Sequence, residues 1–146
     1  IKGHGQAVTA VAWAPDGGRV FSASRDGSAR VWRPRLLDPQ AVYPDESDWG
    51  PPAEFDQYSS MGWVSARAAA WAAAWSPDGR QVLTAGGDGA VRIWQESLGS
   101  TLRWEVVGAL RGHVGAVWDV QWSPDGSQVL TAGDDGNVRI WQMRTS

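Results

Sequence analysis

The sequence lacks several features that mark common classes of protein. It contains no cysteine, which excludes disulfide bridges and thiolate metal sites. No run of about eighteen apolar residues occurs, so no membrane-spanning helix is expected. Thirteen basic and sixteen acidic residues give a net charge of −3, without the positive excess that attracts nucleic acid. We therefore expect neither nucleic acid nor membrane as a partner, and the absence of cysteine favours a cytoplasmic protein.

Tryptophan is abundant, with eleven in 146 residues, and most of these tryptophans belong to a pattern that occurs three times in one register. Each copy ends on a tryptophan. Another tryptophan stands nineteen residues earlier, a hydroxyl ten earlier and an aspartate six earlier. A repeat at fixed spacing indicates an array of similar units. The copies contain Trp13, Ser22, Asp26 and Trp32; Trp75, Thr84, Asp88 and Trp94; and Trp122, Thr131, Asp135 and Trp141.

Each copy has three short apolar segments separated by turn residues. In the third copy these segments are residues 116–122, 128–132 and 137–142, which are rich in Val, Ile, Thr and Trp. Such residues favour strands, and the Pro-Asp-Gly and Asp-Gly sequences between them favour hairpins. Each copy is therefore predicted to form an antiparallel meander. A fourth strand is expected in each connection, near residues 53–58 and 103–107.

The first strand of the middle copy conflicts with simple propensity. Residues 68–75 read Ala-Ala-Ala-Trp-Ala-Ala-Ala-Trp, which favours a helix. However, Trp71 and Trp75 stand where Trp118 and Trp122 stand in the third copy, directly before the same turn. The register therefore predicts a strand.

The first connection is 15 residues longer than the second, and the excess falls in residues 36–60, which hold four prolines, six acids and no base. We expect a surface loop there, with an acidic docking loop as the alternative. Trp49 and Trp63 lie outside the repeat register. Trp49 is expected to pack on the edge of the fold, with a partner anchor as the alternative.

These motifs resemble the WD-repeat β-propeller family. Gly112-His113, Thr131, Asp135-Gly136 and Trp141 are similar to that family's Gly-His, Ser/Thr, Asp and Trp signature in order and spacing. Two features depart from it: Arg or Gln replaces the aspartate of the Trp-Asp dipeptide in every copy, and Ala66 stands at the histidine position of the middle copy.

The resemblance implies an all-β fold of three tandem four-stranded antiparallel blades in an incomplete ring. The expected blades are residues 1–62, which include the acidic insertion, residues 63–109, and residues 110–146, which lack a last strand. Propellers use about four to eight blades. Because the chain begins inside a motif, we expect a segment of a longer propeller. The alternative is that identical copies associate into a closed ring.

In the family, the signature side chains form a buried hydrogen-bonded chain within each blade. Without a histidine, Asp88 is expected to need another partner, and the second blade is expected to be the loosest. His, Asp and a hydroxyl also make up a nucleophilic triad. However, the same set recurs in both copies that have the histidine, which favours a structural role over a single active site. We predict no enzyme activity, metal or cofactor. The network positions are His4, Ser22, Asp26, Trp32, Thr84, Asp88, Trp94, His113, Thr131, Asp135 and Trp141.

The resemblance also places partner contacts on one loop face, at positions three and five residues after the histidine and just before the turn aspartate. These positions include Thr9, Arg25, Trp71, Trp118 and Asp134. Exposed Trp and Arg are enriched at interface hot spots, whereas the alternative is that both tryptophans only pack against neighbouring strands. The predicted function is a non-catalytic interaction scaffold or sensor module that binds a protein or peptide. The alternative is a structural or engineered fragment that assembles into a ring without a ligand.

Overall fold

The structure is a computed structural model that describes residues 4–26, 28–32, 53–56 (backbone only), 70–97 and 104–144. Within these ranges every regular element is a β-strand, which confirms the all-β prediction. Trp49, Trp63, Ala66 and the remainder of the acidic insertion lie outside the described residues. The strands are β1 Val8–Trp13, β2 Val20–Ser24, β3 Ser28–Trp32, β4 Ala53–Asp56, β5 Ala70–Trp75, β6 Gln81–Gly86, β7 Val91–Glu96, β8 Trp104–Leu110, β9 Val117–Trp122, β10 Gln128–Gly133 and β11 Val138–Gln142.

The strands form three antiparallel sheets, one for each copy of the repeat. The first sheet has the order β1-β2-β3-β4, the second β5-β6-β7-β8 and the third β9-β10-β11. The fourth strands predicted near residues 53–58 and 103–107 are confirmed as β4 and β8. β8 ends at Leu110, one residue beyond the expected blade boundary.

The alanine-rich segment of the middle copy is a strand. β5 pairs with β6 through Ala73 opposite Thr84 and Trp75 opposite Val82, so the prediction from register is confirmed for residues 70–75. Ladder hydrogen bonds and packing on both faces outweigh a helix propensity that amounts to less than about 1 kcal/mol per residue.

The first and second sheets pack face to face. Phe21 and Val31 of the first sheet are fully buried in one cluster with Val82 and Trp75 of the second. The Trp75 and Trp104 rings meet edge to face at 5.5 Å. The indole Nε1 of Trp75 also donates to the Ala12 carbonyl of the first sheet, at 3.2 Å.

The second and third sheets bury a separate apolar cluster. Leu83 and Val91 of the second sheet have no exposed surface and pack with Val117, Val120 and Val129 of the third. The second sheet is therefore covered on both faces.

The outer faces of the first and third sheets are open to solvent. Leu130 and Ile140, 41% and 68% exposed, take the register positions of Leu83 and Ile93, which are 0% and 8% exposed in the second sheet. On the first sheet, Trp13 is 64% exposed. Leu130, Val138 and Ile140 form what we call the third-sheet face, and Val8, Val11 and Trp13 form the first-sheet face.

This packing argues against the expectation that the second blade is the loosest, and hydrogen exchange tests the two alternatives. We predict that the Leu83 amide exchanges with solvent more slowly than the Leu130 amide. Both lie in an inner strand of their sheet, opposite Ile93 and Ile140, but only the second sheet is covered on both faces. Hydrogen exchange followed by NMR checks this pair, since burial on both faces raises the free energy of local opening. Faster exchange at Leu83 than at Leu130 would support the expectation that the second blade is the loosest.

Candidate functional site

A hydrogen-bonded chain of four side chains ties together the first sheet. Trp32 Nε1 donates to Ser22 Oγ at 2.8 Å, Ser22 Oγ lies 2.7 Å from His4 Nε2, and His4 Nδ1 lies 3.3 Å from Asp26 Oδ2. An ionised carboxylate only accepts, so the ring nitrogen Nδ1 is the donor to Asp26. The chain runs unbroken from the strands to the loop before β1.

The third sheet repeats this arrangement. Trp141 Nε1 donates to Thr131 Oγ1 at 2.9 Å, Thr131 Oγ1 is 2.7 Å from His113 Nε2, and His113 Nδ1 is 3.0 Å from Asp135 Oδ1. Asp135 also accepts from the Val114 amide at 3.0 Å. The carboxylate therefore clamps the loop before β9 to the turn between β10 and β11.

In the second sheet the aspartate has a different partner. Trp94 Nε1 donates to Thr84 Oγ1 at 2.8 Å, as in the other sheets. Asp88 instead accepts from Arg92 Nη2 at 2.5 Å and from the Ala90 amide at 3.1 Å. An arginine within its own hairpin thus pairs with Asp88 where the chain has Ala66 in place of a histidine.

The geometry of these networks suits structure and not nucleophilic chemistry. Ser22 and Thr131 are 6% and 1% exposed, and the hydroxyl oxygen of each accepts a hydrogen bond from an indole N–H. This burial shields both oxygens from a substrate carbonyl. Among the described residues, no group of three or more His, Cys, Asp or Glu side chains could hold a metal ion. No helix in the described ranges is long and apolar enough to cross a membrane.

A second cluster lies at the loop face, the end of the sheets that carries the loops before β1 and β9 and the turns after β2, β6 and β10. The rings of Trp71 and Trp118 stack there at 4.6 Å with 27° between their planes. Trp118 Nε1 donates to Asp134 Oδ1 at 3.3 Å, and Trp118 is 54% exposed. The stack joins β5 of the second sheet to β9 of the third.

The other two predicted contact residues lie on the first sheet. Arg25 is exposed in the turn after β2, and its amide donates to the Ala7 carbonyl at 2.9 Å. Thr9 is half-buried, and its hydroxyl, which has one proton to donate, lies within hydrogen-bonding distance of the carbonyls of Ala23 and Ala70. Thr9 therefore braces the first sheet against the second.

Close contacts at the loop face depend on Gly89, which the repeat marks only as a turn residue, and on Gly133, which the repeat pattern does not include. A Cβ on Gly89, whose φ is +77°, would lie 2.6 Å from the Gly115 carbonyl oxygen of the next loop. A Cβ on Gly133 would collide with the His113 ring. The sequence Asp88-Gly89 predicts a turn, but it does not predict that the neighbouring loop approaches this turn closely.

The family profile described as WD domain, G-beta repeat matches residues 1–33, 63–95 and 104–142, well over half of the chain. The chain belongs to the WD40 repeat family. Members of this family generally act as protein-interaction scaffolds and are generally not catalytic. The three sheets are therefore blades of a WD40 propeller, and the two His-Asp clamps are elements of its repeat.

Comparison with individual proteins gives the same fold. Striatin-4 of Homo sapiens is 37% identical over 54 residues, which are 36% of this WD40 chain and 7% of striatin-4. The crystal structure of RRP9 WD40 repeats superposes with a TM-score of 0.71 over 97% of this chain at 19% identity. This chain spans 37% of the length of that structure and a small part of striatin-4.

The blade aspartates have lowered pKa values with identifiable causes. Burial alone would raise the pKa of Asp26, but hydrogen bonds from Ser28 and from the Gly5 amide hold it well below its usual range. The Val114 amide, followed by His113 and Asn137, lowers the pKa of Asp135. The hydroxyl of Ser123, with Ser127, lowers the pKa of Asp125 to about 2.

These shifts predict a loss of stability in acid. A carboxylate whose pKa is lower in the folded chain stabilises the fold above its unfolded pKa of about 4, and this contribution is lost as the pH falls through the folded values. We expect the free energy of unfolding to decrease below about pH 4, and to decrease less steeply in Asp135→Asn. Asp119→Asn, an exposed carboxylate outside the clamps, is the control. Urea titrations from pH 6 to pH 2 measure the slopes, and equal slopes for wild type and Asp135→Asn would contradict the assignment.

Proposed function

We propose that these blades form a non-catalytic scaffold that binds a protein or peptide on the loop face. The observation that carries the proposal is the stacked pair Trp71 and Trp118, with Asp134 beside it. The absence of cysteine supports a reducing compartment such as the cytoplasm.

The pair has the physical properties of an interface anchor. Trp118 keeps more than half of its surface exposed, although its position in the first blade is taken by the small Thr9. Its orientation is already fixed by the Trp71 ring and by the hydrogen bond to Asp134, so little side-chain entropy remains to be lost on binding. A large preordered aromatic surface provides much contact area at low cost, which is why Trp is enriched at hot spots.

The residues of the first blade contribute differently to this surface. Arg25 is exposed and can extend the contact with a cation at its edge. Thr9 is committed to the carbonyls of Ala23 and Ala70, so its role in the proposal is to hold the first blade in place. The proposed surface is therefore centred on the second and third blades.

The test is binding of a purified partner, first isolated by affinity capture on the chain, to Trp118→Ala and Trp71→Ala. Each variant is expected to weaken binding at least about tenfold, since hot-spot truncations cost about 1.4 kcal/mol or more. Unfolding in urea should change by about 0.5–1.5 kcal/mol, the contribution of an aromatic pair.

Trp13→Ala is the matched control, because Trp13 is also an exposed indole but lies at the opposite end of its strand. It should bind the partner like the wild type. Equal binding by all three variants would refute the loop-face proposal, and a loss of several kcal/mol of stability in Trp118→Ala would assign that residue to packing.

A second proposal is that the first-sheet and third-sheet faces dock further blades. Their exposed residues occupy positions that are buried or half-buried at both internal junctions: Trp75 is 7% exposed where Trp13 is 64%. The two faces are complementary in register. The first-sheet face corresponds to the face of the second blade that packs on the first blade, and the third-sheet face corresponds to the face of the second blade that packs on the third. Light scattering distinguishes the sources: identical copies give multiples of 15.7 kDa, whereas blades of a longer chain leave the isolated chain monomeric or aggregated.

A further inference from the structure

At the turn face, the end of the sheets that carries the three Pro-Asp-Gly turns, a guanidinium fills the first junction between blades. The Cζ atom of Arg19 lies 4.7 Å from the centre of the Trp75 ring. Its Nη2 atom donates to the Gly79 carbonyl at 2.8 Å and lies 3.5 Å from the Asp16 carboxylate. Its Nη1 atom lies 3.6 Å from the Glu96 carboxylate. An arginine of the first blade is thus bound on the indole of the second.

The second junction repeats the indole, the glycine and one carboxylate of this arrangement, but it lacks the arginine, and Met143 takes the register position of Glu96. Trp122, Gly126 and Asp78 take the register positions of Trp75, Gly79 and Asp16. The position of Arg19 is taken by Gln81, whose Nε2 atom donates to Gln95 Oε1 on its own sheet at 3.0 Å. Where Arg19 fills the first junction, the second has a cleft of about 540 Å³.

The cleft contains the groups that recognise a guanidinium. Asp78, Gln81, Trp122 and Gly126 all line it, and its volume lies within the roughly 300–1,000 Å³ of small-ligand pockets. The Ser76 hydroxyl hydrogen-bonds to Asp78 and lowers the pKa of this carboxyl, so Asp78 is charged at neutral pH. Two arginines that also line the cleft, Arg80 and Arg144, are balanced in charge by Asp78 and Asp125.

We propose that the cleft between the second and third blades binds the guanidinium of an arginine side chain from a peptide or protein. The arginine stacks on Trp122 and donates to the Gly126 carbonyl and the Asp78 carboxylate, as Arg19 does on Trp75, Gly79 and Asp16. Cation–π contact and charge-assisted hydrogen bonds together favour arginine over an uncharged side chain of the same shape. This site goes beyond the proposed scaffold function, because it lies at the opposite end of the strands from the Trp71 and Trp118 stack.

The test is an NMR titration of the wild-type chain with N-acetyl-arginine amide, followed through the indole N–H signals. Saturable binding is expected, and the citrulline analogue, which has the same shape without the charge, should bind at least about tenfold more weakly. The variant Gln81→Arg restores the internal guanidinium of the first junction and should likewise reduce binding at least about tenfold. The control Gln128→Arg places the same substitution at the same register of the third blade and should leave binding unchanged.

Absence of saturable binding, or equal affinity for the citrulline analogue, overturns the proposal on the wild-type chain alone. Unchanged binding by a folded Gln81→Arg overturns the location of the site. Neither outcome depends on the loop-face partner, and Trp118→Ala should bind the arginine probe like the wild type.

Discussion

Replacing Trp94 with alanine is expected to lower the free energy of unfolding by about 3–5 kcal/mol. Trp94 is 1% exposed and belongs to the cluster between the first two blades. Its Nε1 atom donates at 2.8 Å to Thr84 Oγ1, and Thr84 is 1% exposed. Truncation therefore leaves a cavity and removes the donor of a buried hydroxyl. Urea unfolding of the wild type and the variant measures the difference.

Two further variants separate packing from hydrogen bonding. Trp94→Phe keeps an aromatic ring but removes the N–H, and is expected to cost about 1–3 kcal/mol, the penalty for a buried unpaired polar group plus some lost contact. Trp141→Ala removes the equivalent indole of the third blade, which is only half-buried, and should cost less than Trp94→Ala. A Trp141→Ala variant as destabilised as Trp94→Ala would show that the third blade is covered in solution.

The second large effect concerns one pair of isoleucines at the same register. Ile93→Lys is expected to unfold the chain or to cost more than about 4 kcal/mol, because it places an unpaired charge at the buried junction of the second and third blades. Ile140→Lys is expected to change stability by no more than about 0.5 kcal/mol, since the side chain is 68% exposed. Chemical unfolding of both variants measures the contrast.

The Ile140→Lys variant also tests the docking of further blades. A charge at the third-sheet face should prevent another blade from packing there, so any assembly that light scattering detects in the wild type should be lost. Glu105→Lys, an exposed position on the outer strand β8, is the control and should assemble normally. If Ile93→Lys is tolerated as well as Ile140→Lys, the described junction is wrong.

The repeat register was sufficient to predict most of the fold. Because Trp71 and Trp75 share positions with Trp118 and Trp122, the register identified β5 as a strand where local propensity favours a helix. The fourth strands β4 and β8 were expected in the connections between copies and lie there. Sequence reasoning succeeds here because a fixed pattern of turns and apolar residues constrains all three copies at once.

Contacts between repeats were harder to predict from the sequence. Arg92 stands two residues before Trp94, as Arg30 and Arg139 stand before their tryptophans, so nothing singled it out as the partner of Asp88. The contact of Arg19 with Trp75 joins residues 56 positions apart in different sheets. Such contacts depend on how neighbouring blades are placed, which residue spacing within one blade does not determine.

The arrangement of Trp71 and Trp118 at the loop face also could not be predicted from the sequence. From the sequence alone, Trp71 and Trp118 could either contact a partner or only pack against neighbouring strands. In the structure they stack on each other, with Trp71 half-buried and Trp118 exposed. The two tryptophans therefore pack against each other, and Trp118 also leaves a surface exposed. The binding role of the pair stays a prediction.

The stacking of three blades in chain order, with the middle one covered on both faces, is tested most directly by thiol labelling of Val91→Cys and Val138→Cys. The chain has no cysteine of its own, and the two valines share one register but are 0% and 66% exposed. In dilute solution the thiol of Val138→Cys should react at least about a hundredfold faster than the thiol of Val91→Cys, because the latter must wait for local opening. Similar rates at the two positions would contradict this arrangement of the blades.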